Sequence, residues 1–97
     1  MKSLVFRSIA AREYDEAARW YESHQAGLGM AFETAVQETI SRILARPEQF
    51  VTVEGSMREV RVERFPYCIY YRIRGEIIVV LAVFHHARDP AKRVRRR

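Results

Sequence analysis

The hydrophobic pattern of the chain changes its period at Pro47, and this change limits the folds available to it. Before Pro47 the apolar residues recur every three or four positions, the spacing of one face of an α-helix. After Pro47 they alternate with polar residues, as in a half-buried β-strand. A chain of 97 residues has room for one hydrophobic core. The sequence therefore predicts a single α+β domain in which two helices precede most of the strands.

A short strand and two helices are predicted before Pro47. Residues 2–7 contain three consecutive apolar residues without helical spacing, which favours a strand, and Ser8 offers a hydroxyl to cap the following helix. Gly27 is predicted to end the first helix, and the second begins directly after it. The second helix ends near Arg46, because the residue before a proline disfavours the helical conformation. The two helices then form an antiparallel hairpin.

The second half of the chain predicts three or four strands. Arg58–Arg64 and Tyr67–Ile73 alternate apolar and polar side chains, which indicates two antiparallel strands. After a tight turn at Arg74-Gly75, the unbroken apolar run Ile77–Phe84 indicates a strand covered on both faces, which we place at the centre of the sheet. A segment around residues 50–53 is predicted to add a further edge. The predicted order is β-α-α-β-β-β-β, with an antiparallel sheet of three to four strands.

The composition indicates the cellular compartment. Cys68 is the single cysteine, which rules out an intramolecular disulfide and favours a reducing environment. No apolar run reaches the length of a signal-peptide core or of a membrane span. We therefore expect a cytoplasmic protein without a membrane partner.

The net charge of +5 is concentrated at the C-terminus. Residues 1–84 carry 11 basic and 11 acidic side chains, whereas residues 85–97 carry six basic side chains against Asp89. A cationic tail suits an anionic partner, although a solvated terminus explains it equally well. The predicted organisation is one domain over residues 1–90 and a basic tail over residues 91–97.

A series of short motifs, taken in chain order, carries a family resemblance. The motifs are Trp20-Tyr21, Gly27-Leu28-Gly29-x-x-Phe32, Pro47, Arg58, Arg64-Phe65-Pro66-Tyr67-x-Ile69-x-Tyr71-Arg72-Ile73 and His85-x-x-Arg88-Asp89-Pro90. In this order and spacing they resemble the RelE/ParE superfamily of bacterial toxins, nearer to its ParE-like side. The resemblance implies the toxin of a type II toxin–antitoxin system, in which a helical hairpin packs on an antiparallel sheet. It also implies a cognate antitoxin of the ParD or RelB kind as partner.

The resemblance leaves two classes of target open. ParE-like members bind DNA gyrase, so we predict a gyrase inhibitor that a cognate antitoxin neutralises. RelE-like members cut messenger RNA on the ribosome, so the alternative is a ribosome-dependent mRNA endonuclease. A third reading is a degenerate member that binds the antitoxin without being toxic. Where RelE-like ribonucleases carry an arginine this chain has Cys68, and no tyrosine follows Tyr71; both departures favour the gyrase inhibitor.

Two histidines and one arginine are the candidates for chemistry. RNA cleavage needs a general acid or base and a cation on the phosphate, which His85, His86 and Arg58 would supply if the chain is a ribonuclease. Adjacent residues of a strand point to opposite faces, so at most one of the two histidines faces a given site. Arg58 shares the parity of Val60 and Val62 and is expected at the margin of the apolar face.

A structural role is the alternative for these residues. Either histidine could bond a loop carbonyl, and Arg61 lies between Glu59 and Glu63 as in a solvated strand face. The residues predicted to bind the target are Arg58, His85, His86, Arg88, Arg93 and Arg95. No metal-ligand spacing and no glycine-rich phosphate loop occurs, so neither a metal nor a cofactor is expected.

Overall fold

A computed structural model describes residues 2–86, and the order of its elements is the predicted one. The elements are β1 (Ser3–Phe6), α1 (Ser8–His24), α2 (Leu28–Ala45), β2 (Thr52–Glu54), β3 (Met57–Arg61), β4 (Tyr67–Arg74) and β5 (Ile77–His85). The α+β class and the helical hairpin are thereby confirmed. The predictions for Arg88, Arg93, Arg95 and the domain boundary at residue 90 lie outside the described residues.

The strands form one mixed sheet in the order β1-β5-β4-β3-β2. Strands β2 to β5 pair antiparallel, and β1 joins them as a fifth strand parallel to β5. The connection between these two parallel strands runs through the helical hairpin and then through β2, β3 and β4. The prediction that Ile77–Phe84 forms the central strand is wrong, because β4 is central. The run is nevertheless covered on both faces, as predicted, because β5 contributes buried residues to apolar clusters on either side of the sheet.

Two predicted helix ends are also wrong. α1 begins at Ser8 as a helical residue, with Arg7 at the capping position and no side-chain cap. α1 ends at His24 and the next residue is extended, so Gly27 is not its stop. Gly27 instead precedes α2 with φ of 88°, a left-handed conformation that glycine adopts without steric cost.

The turn between the helices is held by Glu22 and by a close helix contact. One Glu22 carboxylate oxygen accepts the Gly27 N–H at 3.0 Å and the other accepts the Gly29 N–H at 3.0 Å. These bonds satisfy donors that the start of a helix leaves without partners. A Cβ added at Gly29 would lie 2.7 Å from the Ala18 carbonyl oxygen, so this position must stay small.

Both faces of the sheet are apolar, and the helices pack on one of them. The helix-facing core contains three alanines of α1, five buried residues of α2 and residues of the strands. A second cluster on the opposite parity contains Met57, Cys68, Tyr70, Leu81, Ala82 and Phe84. Within residues 2–86, neither helix is long and apolar enough to cross a membrane.

Candidate functional site

Arg58 fixes the segment that leads from α2 into the sheet. Its guanidinium Nη1 donates to the carbonyl oxygens of Glu48 at 3.1 Å and Phe50 at 2.6 Å. Tyr71 lies opposite Arg58 on β4, and its hydroxyl donates to the Pro47 carbonyl oxygen at 2.5 Å. Two side chains on neighbouring strands therefore hold three carbonyl groups of one loop. We call this arrangement the Arg58 clamp.

Burial defines the chemistry of the Arg58 clamp. Tyr71 has 0% of its surface exposed, and burial raises the pKa of its hydroxyl to about 12, while the nearby Arg58 charge acts in the opposite direction. The hydroxyl stays protonated and remains a hydrogen-bond donor across the physiological range. As predicted, Arg58 lies half-buried at the margin of the apolar face, with Val60 and Val62 on its parity. Its guanidinium group therefore bonds backbone carbonyl oxygens of the fold itself.

A cleft opens at the other end of the sheet, between α1 and the last residues of β5. β1 pairs with β5 only as far as Val80, so α1 rather than a strand flanks β5 beyond that point. The cleft has a volume of about 620 Å³. Its walls are Glu13, Glu16, Ala17, Trp20, Tyr21, Pro66, Tyr67, Val83 and His85. We call it the Trp20 cleft.

Trp20 forms the exposed wall of this cleft. Its side chain is 56% exposed, which makes it the one aromatic residue among the large exposed apolar residues of the described chain. The indole ring packs on the His24 ring with centroids 3.9 Å apart, and it meets Tyr21 edge-on at 5.2 Å. His24 Nδ1 lies 2.8 Å from the Trp20 carbonyl oxygen, so the supporting ring is itself held in place. Rigid exposed aromatic residues of this kind frequently anchor protein partners.

The remaining walls are apolar at the base and acidic at the rim. Ala17, Tyr67 and Val83 are buried beneath the opening. Glu13 Oε1 accepts the Val83 N–H at 2.9 Å, so its carboxylate is fixed against β5, and Glu16 lies exposed on the next turn of α1. No lysine or arginine of residues 2–86 lines the cleft.

The two histidines line different depressions. His85 lies in the Trp20 cleft, where its ring meets Tyr67 edge-on with centroids 5.3 Å apart. His86 is exposed beside Arg61 and Arg64 in a shallow depression on the β3–β4 loop, and its backbone N–H donates to the Pro66 carbonyl oxygen at 2.9 Å. The two rings nevertheless lie close together, with centroids 5.7 Å apart, because β5 ends at His85 and His86 already belongs to the turn that follows.

Arg58 is not brought to either histidine. It lies opposite Tyr71, whereas His85 lies opposite Tyr67, four positions away on β4. At the usual strand rise this is about 13 Å along the sheet. Cys68 is buried in the second apolar cluster, at 3% exposure. Among residues 2–86 no group of His, Cys, Asp or Glu side chains could hold a metal ion.

Sequence reasoning missed Trp20 and Glu16 as site residues. In the sequence Trp20 stands out only as part of the Trp20-Tyr21 motif, because the apolar stripe of α1 indicates the residues that form the core. The available signal was its position: Trp20 falls outside that stripe, next to Arg19 and four residues after Glu16. A large aromatic residue on the polar face of a helix is not needed to fill the core.

Comparisons with known proteins agree with this fold. The model of the family described as "ParE toxin of type II toxin-antitoxin system, parDE" matches residues 4–90. One similar solved structure is described as the "Chromosomal ParDE TA system from P. aeruginosa"; the TM-score is 0.64 at 20% identity, over 88% of this chain and 96% of that chain. Such a likeness at low identity indicates a shared fold. No curated protein sequence matches the chain.

Proposed function

The chain belongs to the ParE toxin family of type II toxin–antitoxin systems, and from this premise we propose that it binds and inhibits DNA gyrase until a cognate antitoxin neutralises it. The family match confirms the predicted superfamily and the toxin class. The proposed location is the cytoplasm, where gyrase and a co-expressed antitoxin are both accessible. The proposed activity is binding rather than a chemical step.

The use of Arg58 is the observation that carries this proposal. A ribonuclease needs a cation that approaches the scissile phosphate. The Arg58 guanidinium donates to two carbonyl oxygens of its own chain, about 13 Å along the sheet from the register of His85. Cys68, which stands where RelE-like ribonucleases carry an arginine, is buried. These positions support a protein-binding toxin.

RNA cleavage is the second candidate, and one observation favours it. His86 is exposed in the same depression as Arg61 and Arg64, so an imidazole and two guanidinium groups are close together on the β3–β4 side. Such a set could hold a phosphate and move a proton. The two candidates therefore make different predictions for His86.

Two assays of the purified chain separate the candidates. The first measures DNA supercoiling by gyrase, and the second measures cleavage of messenger RNA on programmed ribosomes. We expect supercoiling to be inhibited and the messages to stay intact. His86→Ala should weaken the inhibition of supercoiling only by lowering the affinity for gyrase, since His86 is among the residues predicted to bind the target, and Glu33→Ala, an exposed position on α2, serves as the matched control. Messenger cleavage that His86→Ala abolishes would overturn the gyrase proposal in favour of the endonuclease.

A further inference from the structure

We propose that the Trp20 cleft receives a basic side chain, arginine or lysine, carried by an otherwise apolar segment of the antitoxin. This inference rests on the proposed function and adds the chemistry of the partner. The shape of the cleft, its aromatic wall and its charge all favour such a side chain.

The shape of the cleft suits a side chain rather than a flat contact. The volume of about 620 Å³ lies within the range of sites that enclose a ligand group. Ala17 at its base is small and buried, and Tyr67 and Val83 complete an apolar floor. An aliphatic stem, such as that of lysine or arginine, can cover this floor while its charged end reaches the rim.

The aromatic wall suits a cation. The face of an indole ring attracts a guanidinium or ammonium group, by about 0.5–2 kcal/mol according to how far the pair is desolvated. Trp20 is already packed against His24, so little rotational freedom is lost when a ligand arrives.

The charge of the cleft selects a basic group over an acidic one. Glu13 and Glu16 line it from one side of α1, and within residues 2–86 neither lysine nor arginine does so. The carboxylate of Glu13 is fixed by the Val83 N–H, and that of Glu16 is exposed at the rim. A purely apolar segment would cover Glu16 without compensation, which costs free energy, whereas an arginine can pair with it.

The antitoxin is the occupant that we choose, because a neutralising complex must be long-lived. Differences in affinity between related complexes arise mainly from the dissociation rate, and buried aromatic residues are frequent among the few that carry most of the binding free energy. Trp20 is the one exposed aromatic of this kind in the described chain. In a chain of net charge +5, the Trp20 cleft offers a basic segment a complementary surface with an aromatic wall and the carboxylates of Glu13 and Glu16.

The test uses the tryptophan itself as the reporter. Trp20 is the only tryptophan in the chain, so its fluorescence reports directly on the cleft. The probe is the purified polypeptide encoded by the open reading frame adjacent to the gene for this chain. We measure its affinity for the wild type, for Glu16→Lys and Trp20→Ala, and for the control Glu33→Lys, which makes the same charge reversal on α2. Thermal unfolding verifies that each variant is folded.

We expect Trp20 emission to change on binding and the affinity to fall by about 30-fold or more in Glu16→Lys and Trp20→Ala. Glu33→Lys should bind within about three-fold of the wild type. One arginine or lysine of the probe, replaced by glutamate, should restore binding to Glu16→Lys.

Other outcomes overturn the inference in distinguishable ways. If the wild type and both cleft variants bind equally tightly, the basic-side-chain inference fails while neutralisation by this partner stands. If the wild type binds nothing, the antitoxin part of the proposed function fails and the inference fails with it. If both cleft variants keep antitoxin binding and lose gyrase inhibition, the cleft belongs to the target, and the inference is again wrong.

Discussion

The two ends of the sheet use their most conspicuous residues in opposite ways. At one end Arg58, the residue with the more obvious chemical potential, donates to the Glu48 and Phe50 carbonyl oxygens and holds a loop. At the other end Trp20 is 56% exposed beside a cleft, although large apolar residues usually lie in the core. The comparison teaches that residue type is a poor guide to role: the partners of a side chain decide whether it is available for function.

Replacing Arg58 should have the largest effect on stability. Arg58→Met keeps the length and the apolar stem but removes both hydrogen bonds to the loop. Because bonds from a charged donor contribute more than neutral ones, the free energy of unfolding should fall by about 2–3 kcal/mol. Urea denaturation measures it, with Arg61→Met, an exposed position on the same strand, expected within about 0.5 kcal/mol of the wild type. Equal losses of unfolding free energy in both variants would show that the hydrogen bonds of Arg58 do not stabilise the loop.

The contact between the helices gives the next effect. Gly29→Ala places a Cβ 2.7 Å from the Ala18 carbonyl oxygen, so the helices must separate slightly. Overpacking of this kind costs about 1–3 kcal/mol, and the better helix propensity of alanine returns up to about 1 kcal/mol. We expect a net loss of about 1–2 kcal/mol in denaturation experiments. A gain in stability would mean that the hairpin is loosely packed at this point.

Removing the Tyr71 hydroxyl tests the other half of the Arg58 clamp. Tyr71→Phe leaves the Pro47 carbonyl oxygen without its donor and should cost about 1 kcal/mol near neutral pH. The pH dependence has a definite sign. Burial raises the pKa in the folded protein to about 12, whereas an unfolded tyrosine titrates near about 10. The unfolded chain therefore loses the proton first, and the stability that the neutral hydroxyl contributes is lost as the pH rises from about 10 to about 12.

A comparison of two pH profiles isolates this group from the other tyrosines. The difference in unfolding free energy between wild type and Tyr71→Phe should be constant below about pH 10, fall above it and change sign before about pH 12. A constant difference up to pH 12 would contradict the claim that burial raises the pKa of the Tyr71 hydroxyl.

Trp20 should give the smallest effect on stability. Because its side chain is mostly exposed, Trp20→Ala should change the free energy of unfolding by no more than about 0.5 kcal/mol. A loss comparable to that of Arg58→Met would show that Trp20 belongs to the core, and the contrast between the two ends would disappear.

The order of the elements could be predicted from the sequence because it depends on local periodicity. The stripes of α1 and α2, the stop before Pro47 and the alternation in β3 and β4 are all short-range signals. The parallel pairing of β1 with β5 could not be predicted in this way, since it joins residues more than 70 positions apart. The cap of α2 by Glu22 was missed for a similar reason, because it comes from the preceding helix rather than from the turn.

The site was less predictable than the fold. The parity of Arg58 correctly indicated the margin of the apolar face, but its acceptors are carbonyl groups of residues 48 and 50, and carbonyl direction leaves no trace in the sequence. The Trp20 cleft forms where β1 stops short of the end of β5 and α1 lies alongside. It therefore depends on the sheet order, which only the structure supplied.

The most direct test of the contrast between the two ends is hydrogen exchange of the chain with and without the product of the adjacent open reading frame. The account predicts added protection in residues 13–21 and 83–86, around the Trp20 cleft, and unchanged exchange in residues 47–58, around the Arg58 clamp. Protection confined to residues 47–58, with residues 13–21 exchanging as in the free chain, would contradict it.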